Sequence, residues 1–266
     1  HIILGCLAAS SAQSQDPTIP DQIRGAFGKL ATKATALKAE LGNLGFRKGA
    51  CLLGGSLKQG GQFTFVLQVN EPSAYSVLIG AHGNDSEVEV SVLDSSGKNT
   101  VTLTDSYGSL FEAKATGRYT LAAKNKGAEK FVALALVTES GGVVHPFSAI
   151  NAAAAGLAAG VKESYQYGYG VPTNHHMALG AVVESGGTSG HTTTYSFPKW
   201  LMVAGSDAGP KGFQLTVKDP GTNQTVTATE EKAYSFCEID HAVNNAGVVT
   251  KNVGSKPIMY LQGVMR

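Results

Sequence analysis

The sequence predicts a mainly β fold: two tandem antiparallel β-sandwich domains, each preceded by an amphipathic helix. Three observations predict it. Short segments such as Phe63–Val69 and Val88–Leu93 alternate apolar and polar residues, the period of a half-buried strand. Turn signals separate such segments every 8–12 residues or so, the spacing of about seven short strands in a sandwich. The whole pattern then occurs twice. Tyr75–Gly80 reappears as Trp200–Gly205, an offset of 125 residues. Val88, Val90, Val92 and Asp94 fall on Phe213, Leu215, Val217 and Asp219, Thr100–Thr102 on Thr225–Thr227, and Phe111 on Phe236. Upstream, Leu53, Gly54, Gly60 and Gly61 match Leu179, Gly180, Gly186 and Gly187 at offset 126. Downstream, Leu134 and Val137 match Leu261 and Val264 at offset 127, as loop insertions would produce.

In chain order, Ile2–Ala9 is an apolar run followed by Ser10, Ser11 and Ala12. Residues 1–15 read as a secretory signal-like segment cut before Gln13; the alternatives are a lipoprotein signal, since Ile3-Leu4-Gly5-Cys6 resembles a lipobox, and a buried N-terminal strand or a donor strand that inserts into a neighbour. Residues 16–45 form the first helix. Ile23, Phe27, Leu30, Ala34, Leu37 and Leu41 make one apolar stripe, begun after Pro20-Asp21 and stopped at Gly42-Asn43. The first sandwich occupies 46–140. Its strands are Phe63–Val69, Val88–Asp94, Val101–Thr104, Ser109–Ala113, Tyr119–Ala123 and Lys130–Val137. Residues 141–167 hold a linker and a second helix, with the stripe Phe147, Ile150, Ala154, Leu157, Val161, Tyr165. The second sandwich occupies 168–266. Strands are expected near 177–183, 193–197, 200–204, 212–218, 224–228, 233–238, 246–250 and 257–264, with Thr188–Thr194 as a protruding loop.

The composition narrows the function classes. Lys plus Arg is 21 and Asp plus Glu is 20, so the net charge of +1 gives no footprint for nucleic acid. Charged residues are 15%, against about 25% in average soluble proteins. That low charge, with 33 glycines, suits a turn-rich exported protein. No apolar run reaches transmembrane length. Cys51 and Cys237 are expected as buried thiols, with a single bridge between them the alternative.

Gly80–Gly97, followed by Phe111–Leu121 with its Gly117-Arg118-Tyr119, resembles bacterial pre-peptidase C-terminal (PPC) domains. It is also similar to the Golgi-dynamics (GOLD) sandwich. The resemblance covers about residues 54–137 and is fainter in the second copy, which lacks Gly-x-Tyr. It implies a small secreted sandwich of a kind that is appended to exported enzymes and in some cases binds polymers or calcium.

Motifs for chemistry are sparse. Gly-x-Ser-x-Gly, His-Glu-x-x-His and the P-loop are absent from the sequence. Asn84, Asp85 and Glu87, with Asp94 and Asp105, offer hard oxygen ligands, so calcium is the one cofactor the residues would suit, at the acidic turn of the first copy. No other cofactor is expected. His175-His176 with His191 is a poor metal chelate, because adjacent strand residues point to opposite faces. Tyr165, Tyr167 and Tyr169 alternate before Gly170-Val171-Pro172. On an extended segment their rings would share one side, a platform for a sugar ring or a protein partner. Trp200, the single Trp, takes the strand-start position of Tyr75, where core packing competes with ligand stacking.

The resulting expectation is an exported, non-catalytic sandwich protein, a binding or structural module at the cell surface or in an extracellular assembly. Its partner would be a protein, a polysaccharide or a second copy of itself. The alternatives are an accessory or inhibitory module of a secreted enzyme, or an enzyme with an unrecognised site.

Overall fold

The computed structural model describes residues 3–4, 13–14, 16–70, 73–103, 109–113, 116–175, 177–209, 211–228 and 232–266. The first helix, α1, spans Ile19–Leu41 and the second, α2, spans Ala149–Ser164. Neither has a side-chain hydrogen bond at its N-cap. Burial of the apolar stripe holds them instead, at about 1.5–3 kcal/mol for each large side chain. Ile23, Phe27, Leu30 and Ala34 are buried as the spacing predicts. Leu41, the last member of the stripe, is 40% exposed.

Among the described residues the first copy has eight longer strands, β1 Leu52–Leu57, β2 Gln62–Val69, β3 Ser73–Ala81, β4 Val88–Leu93, β5 Asn99–Leu103, β6 Ser109–Ala113, β7 Gly117–Asn125 and β8 Lys130–Thr138, and the two-residue strand Gly45–Phe46 pairs with β8. Eight form the second: β9 Ala178–Val183, β10 Thr188–Tyr195, β11 Trp200–Ser206, β12 Phe213–Lys218, β13 Thr225–Ala228, β14 Tyr234–Ile239, β15 Val243–Asn252 and β16 Ile258–Met265. Each strand of one copy has its counterpart eight strands on. The small sheets run β2-β7-β4-β5 and β10-β15-β12-β13, the same order twice. The large half-sheets, β6-β3-β8-β1 and β14-β11-β16-β9, also correspond.

The two half-sheets are joined. β1 pairs antiparallel with β9, so one large sheet runs through both copies. Both helices pack on one face of it, beside each other. Their shared core takes Phe27 and Phe131 from the first copy, and Leu157, Val203 and Leu261 from the second. The small sheets cover the other face, one per copy, over separate cores around Phe65 and Trp200. Glycines permit the helix contact. A Cβ on Gly80 of β3 would collide with the Ala26 carbonyl of α1, and one on Gly205 of β11 with the Leu157 amide of α2. These glycines are equivalent in the duplication.

The pairing corrects three of the sequence matches. Val137 pairs with Ser76 and Met265 with Leu201, so Val137 corresponds to Met265 and not to Val264. Leu134 pairs with Ile79, and Gln262 pairs with Ala204, the counterpart of Ile79. The counterpart of Leu134 is therefore Gln262, at offset 128, and not Leu261. A slip of one residue changes the face: Leu134 lies in the sandwich core, whereas Leu261 lies in the helix core. Likewise Tyr75 pairs with Phe111 and Trp200 with Ile239, so Phe111 corresponds to Ile239 and not to Phe236. Residues 188–194 are also corrected, from a protruding loop to most of β10.

Within the N-terminal segment, Ile3–Leu4 pairs parallel with β10 at Thr192 and Thr193 of the same chain, and Gln13–Ser14 pairs with Val171–Pro172. The expected cleavage site, residues 10–12, lies outside the described residues. Among the described residues, no helix is long and apolar enough to cross a membrane.

Candidate functional site

The acidic turn of the first copy is held by lysines. Asp85 opens a 3-10 turn, Asp85–Glu87, whose cap is the Asn84 side chain, accepting from Ser86 N. One Asp85 oxygen accepts from Lys33 Nζ at 2.6 Å, and the other accepts from Lys29 Nζ at 3.1 Å and Ala81 N at 2.8 Å. Glu87 is paired with the buried Lys130. Burial by itself raises the Asp85 pKa, but Lys33, the Ala81 amide and Lys29 outweigh it and hold the carboxyl below its usual value. A cation here would have to displace these ammonium groups. The contacts as they stand tie α1 to its sandwich. Asp105 lies outside the described residues.

The three tyrosines do not share a side, which corrects the extended-platform expectation. Tyr165–Tyr167 is a 3-10 turn that continues α2. Tyr165 is half-buried, its hydroxyl donating to Asp16 O at 3.3 Å. Tyr169 is buried, with Lys199 Nζ 5.1 Å from its ring centre. Only Tyr167 faces outward, at 57% exposure. Trp200 is fully buried, 4.2 Å from Tyr195 by ring centres, and its indole N–H donates to His241 O at 3.0 Å. It is a core residue.

Tyr167 does have aromatic company from a part of the chain that the spacing could not reveal. It meets Phe236 of β14 at 6.3 Å, and Phe236 stacks at 6.3 Å on Tyr234 of the same strand. β14 is an end strand of the large sheet. Tyr234, Phe236 and Glu238 share one face of it by strand alternation. Ion pairs bracket the rings. Lys232 bonds Glu163 at 2.8 and 2.9 Å, and the Tyr234 hydroxyl donates to the same carboxylate. Lys199 pairs with Glu238 at 2.6 Å. The result is a two-ring surface with charged hydrogen-bonding groups at both ends.

Three of the described histidines, His145, His191 and His241, are held by side-chain hydrogen bonds. His241 is bonded by Asp219 at Nε2 (2.8 Å) and by Asp240 at Nδ1 (2.9 Å). The bonds from Asp240 and Asp219 raise its pKa, and both ring nitrogens are engaged by carboxylates. His145 Nε2 meets Asp207 at 2.7 Å, and Asp207 accepts from Met259 N at 2.7 Å, fastening the linker to the second copy. His191 is buried in β10, its Nδ1 at 2.8 Å from Gln262 Nε2. His175 is half-buried, and His176 lies outside the described residues. Cys51 and Cys237 are free buried thiols in different cores, and burial pushes the Cys51 pKa up to about 12. Among the described residues, no group of three or more His, Cys, Asp or Glu is placed to hold a metal ion.

One set of buried polar residues was missed by sequence reasoning. The inward side chains Phe63, Phe65 and Leu67 of β2 correspond by register to Ser189, His191 and Thr193 of β10. Opposite them, Val132 and Leu134 of β8 correspond to Tyr260 and Gln262 of β16. Volume has moved across the sandwich, and the polar atoms pair: Tyr260 hydroxyl to Ser189 at 2.9 Å, Thr250 hydroxyl to Gln262 at 3.2 Å.

No family model and no curated protein matches the chain. Solved structures give partial likenesses. The pre-peptidase C-terminal domain of a Bacillus anthracis collagenase is 16% identical, with TM-score 0.29, over 35% of this chain and 93% of that one. PliG of Aeromonas hydrophila, a periplasmic inhibitor of g-type lysozyme, is 14% identical, with TM-score 0.27, over 34% of this chain and 87% of its own. The PBSX exported protein XepA is 12% identical, with TM-score 0.26, over 81% of this chain and 86% of its own. Scores this low carry no activity from those proteins to this one.

Proposed function

We propose that the protein is an exported, non-catalytic β-sandwich module that binds a protein or polysaccharide partner through the Tyr167–Phe236 surface, at the cell surface or in an extracellular assembly. The observation that carries this reading is the exposed Tyr167 ring against Phe236 at an end strand, between the Lys232–Glu163 and Lys199–Glu238 pairs. Rings present large, rigid area at little entropic cost, and flanking charges orient what lies on them. The engagement of both His241 nitrogens by carboxylates supports a structural use of the most conspicuous titratable cluster. The test is retention of the full chain on immobilised polysaccharides and on extracellular proteins of its source. Tyr167→Ala, at the exposed ring, should abolish retention and leave the melting temperature of the fold nearly unchanged. Retention equal to that of the unaltered protein would sink the assignment of this surface.

A further inference from the structure

The Tyr167–Phe236 surface offers little apolar area. A stable protein interface covers about 800 Å² on each partner, around an apolar core. Tyr167 is exposed and can bring at most about 150–250 Å² of ring to a contact. Phe236 is half-buried and Tyr234 is buried. Among the described residues the other exposed large apolar side chains are Leu41, Val144 and Val253, which belong to α1, the linker and the β15–β16 turn. A protein partner would find one ring here and little else to bury.

The polar groups around that ring come as paired donors and acceptors. Glu163 holds Lys232 at 2.8 and 2.9 Å at one end of β14, and Glu238 holds Lys199 at 2.6 Å at the other. Between the two ends, Tyr234 to Glu238 spans about 13 Å at about 3.3 Å per residue. The side chains of Lys199, Lys232 and Glu238 are about half exposed, so solvent reaches both ends. The lysines hold both carboxyls below the usual carboxylate range, so each pair is ionised near pH 7 and carries no net charge. An ammonium only donates and a carboxylate only accepts, whereas a hydroxyl does both. A hydroxyl therefore fits beside either pair. A charged ligand gains from one member of each pair and is repelled by the other.

We infer that the ligand of this surface is a neutral polysaccharide. A pyranose ring has the matching form: a face of C–H bonds to lie on Tyr167, a rim of hydroxyls to reach the ion pairs, and no charge. The distance between the pairs admits more than one such ring. The inference rests on the proposed reading of the Tyr167–Phe236 surface and names its ligand class.

The experiment is chromatography of the full chain on five immobilised polymers. Hydroxyethyl cellulose, arabinoxylan and galactomannan are neutral, polygalacturonate is anionic and DEAE-dextran is cationic. The buffer holds about 0.15 M salt, where exposed charges are screened beyond about 8 Å. Retention on at least one neutral polymer and on neither charged one is the expected result. Tyr167→Ala should lose that retention, Tyr167→Phe should keep it because the ring remains, and Val253→Ala, at another exposed apolar side chain, should leave it unchanged. Retention on no neutral polymer, or on the charged ones alone, would overturn the inference. So would a Tyr167→Ala chain that melts as the unaltered one does and is still retained. A protein ligand lost on Tyr167→Ala, with no neutral polymer retained, would overturn the polysaccharide inference and leave the surface itself standing.

Discussion

Leu53 of β1 and Leu179 of β9, equivalent residues in the two copies, lie directly opposite each other in the antiparallel pair that joins the copies. On either side, Leu52 faces Gly180 and Gly54 faces Ala178, so each contact is repeated by its counterpart. This is the register of an isologous two-fold interface, here within one chain. The halves therefore meet as two subunits of a dimer would, and the shared helix core lies across the join.

The duplication reaches single side chains. Asn125 Nδ2 donates to Leu57, Lys58 and Ala128 carbonyls, and Asn252 Nδ2 donates to Val183, Glu184 and Lys256 carbonyls. Each also accepts a backbone N–H, from Gly127 and Gly254 respectively. Asn125→Ala or Asn252→Ala strands several buried groups at once. Either should cost about 2–4 kcal/mol at one to three kcal/mol per strongly affected group, read from urea unfolding. A loss under about 0.5 kcal/mol would show that water replaces the side chain freely.

Gly80→Ala and Gly205→Ala place a methyl group against helix backbone at equivalent positions. Overpacking of this kind costs about 1–3 kcal/mol. Both variants should melt lower, each by a similar amount. A neutral effect at either site would mean that its helix can shift away at no cost.

Acid should weaken the fold through Asp85 and Asp219. Asp85 is held low by its lysines and the Ala81 amide despite burial, and Asp219 is brought down to about 2 by the Thr222 hydroxyl and His241. Groups with depressed folded pKa values stabilise fully above the unfolded value of about 3.9 and lose that contribution as pH falls through the folded value. The loss therefore spans about pH 4 to about 2. His241 has the opposite sign: its raised pKa contributes stability below about 6.5, and this is lost as pH rises through the folded value. Urea midpoints across this range should fall at both ends. Asp85→Asn should flatten the acid limb, and an unchanged acid slope in that variant would contradict the role given to its lysine pairs.

The polar core of the second sandwich makes a coupled prediction. Gln262→Leu restores the residue of the first copy but leaves the Thr250 hydroxyl and His191 Nδ1 without that partner. It should cost about 1–3 kcal/mol. Adding His191→Phe, which matches Phe65, should recover part of the loss. A double-mutant cycle measures the recovery, and strict additivity would show the two residues to be independent.

Much of this was legible in the sequence. The helix stripes gave both helices nearly to their ends, and alternation gave six strands of the first copy but not Leu52–Leu57, which is buried along its whole length and carries no alternation, nor Ser73–Ala81. The start of β10 was hidden because Ser189, His191 and Thr193 point inward where Phe63, Phe65 and Leu67 do in the first copy. A strand polar on both faces carries no period-two signal. The lost Gly-x-Tyr has a similar cause: Tyr119 corresponds to Ala246, and its ring volume is supplied from β10 by Tyr195, the counterpart of Val69. The Tyr167–Phe236 contact joins positions far apart in sequence, and the expected tyrosine platform failed because the helix continued into a 3-10 turn.

The two copies form one body through β1–β9 and the common helix core. Scanning calorimetry of the full chain tests this most directly. One transition, with calorimetric and van't Hoff enthalpies equal, is the result the shared sheet requires. Two resolved transitions, each assignable to one copy by the Asn125→Ala and Asn252→Ala variants, would contradict it.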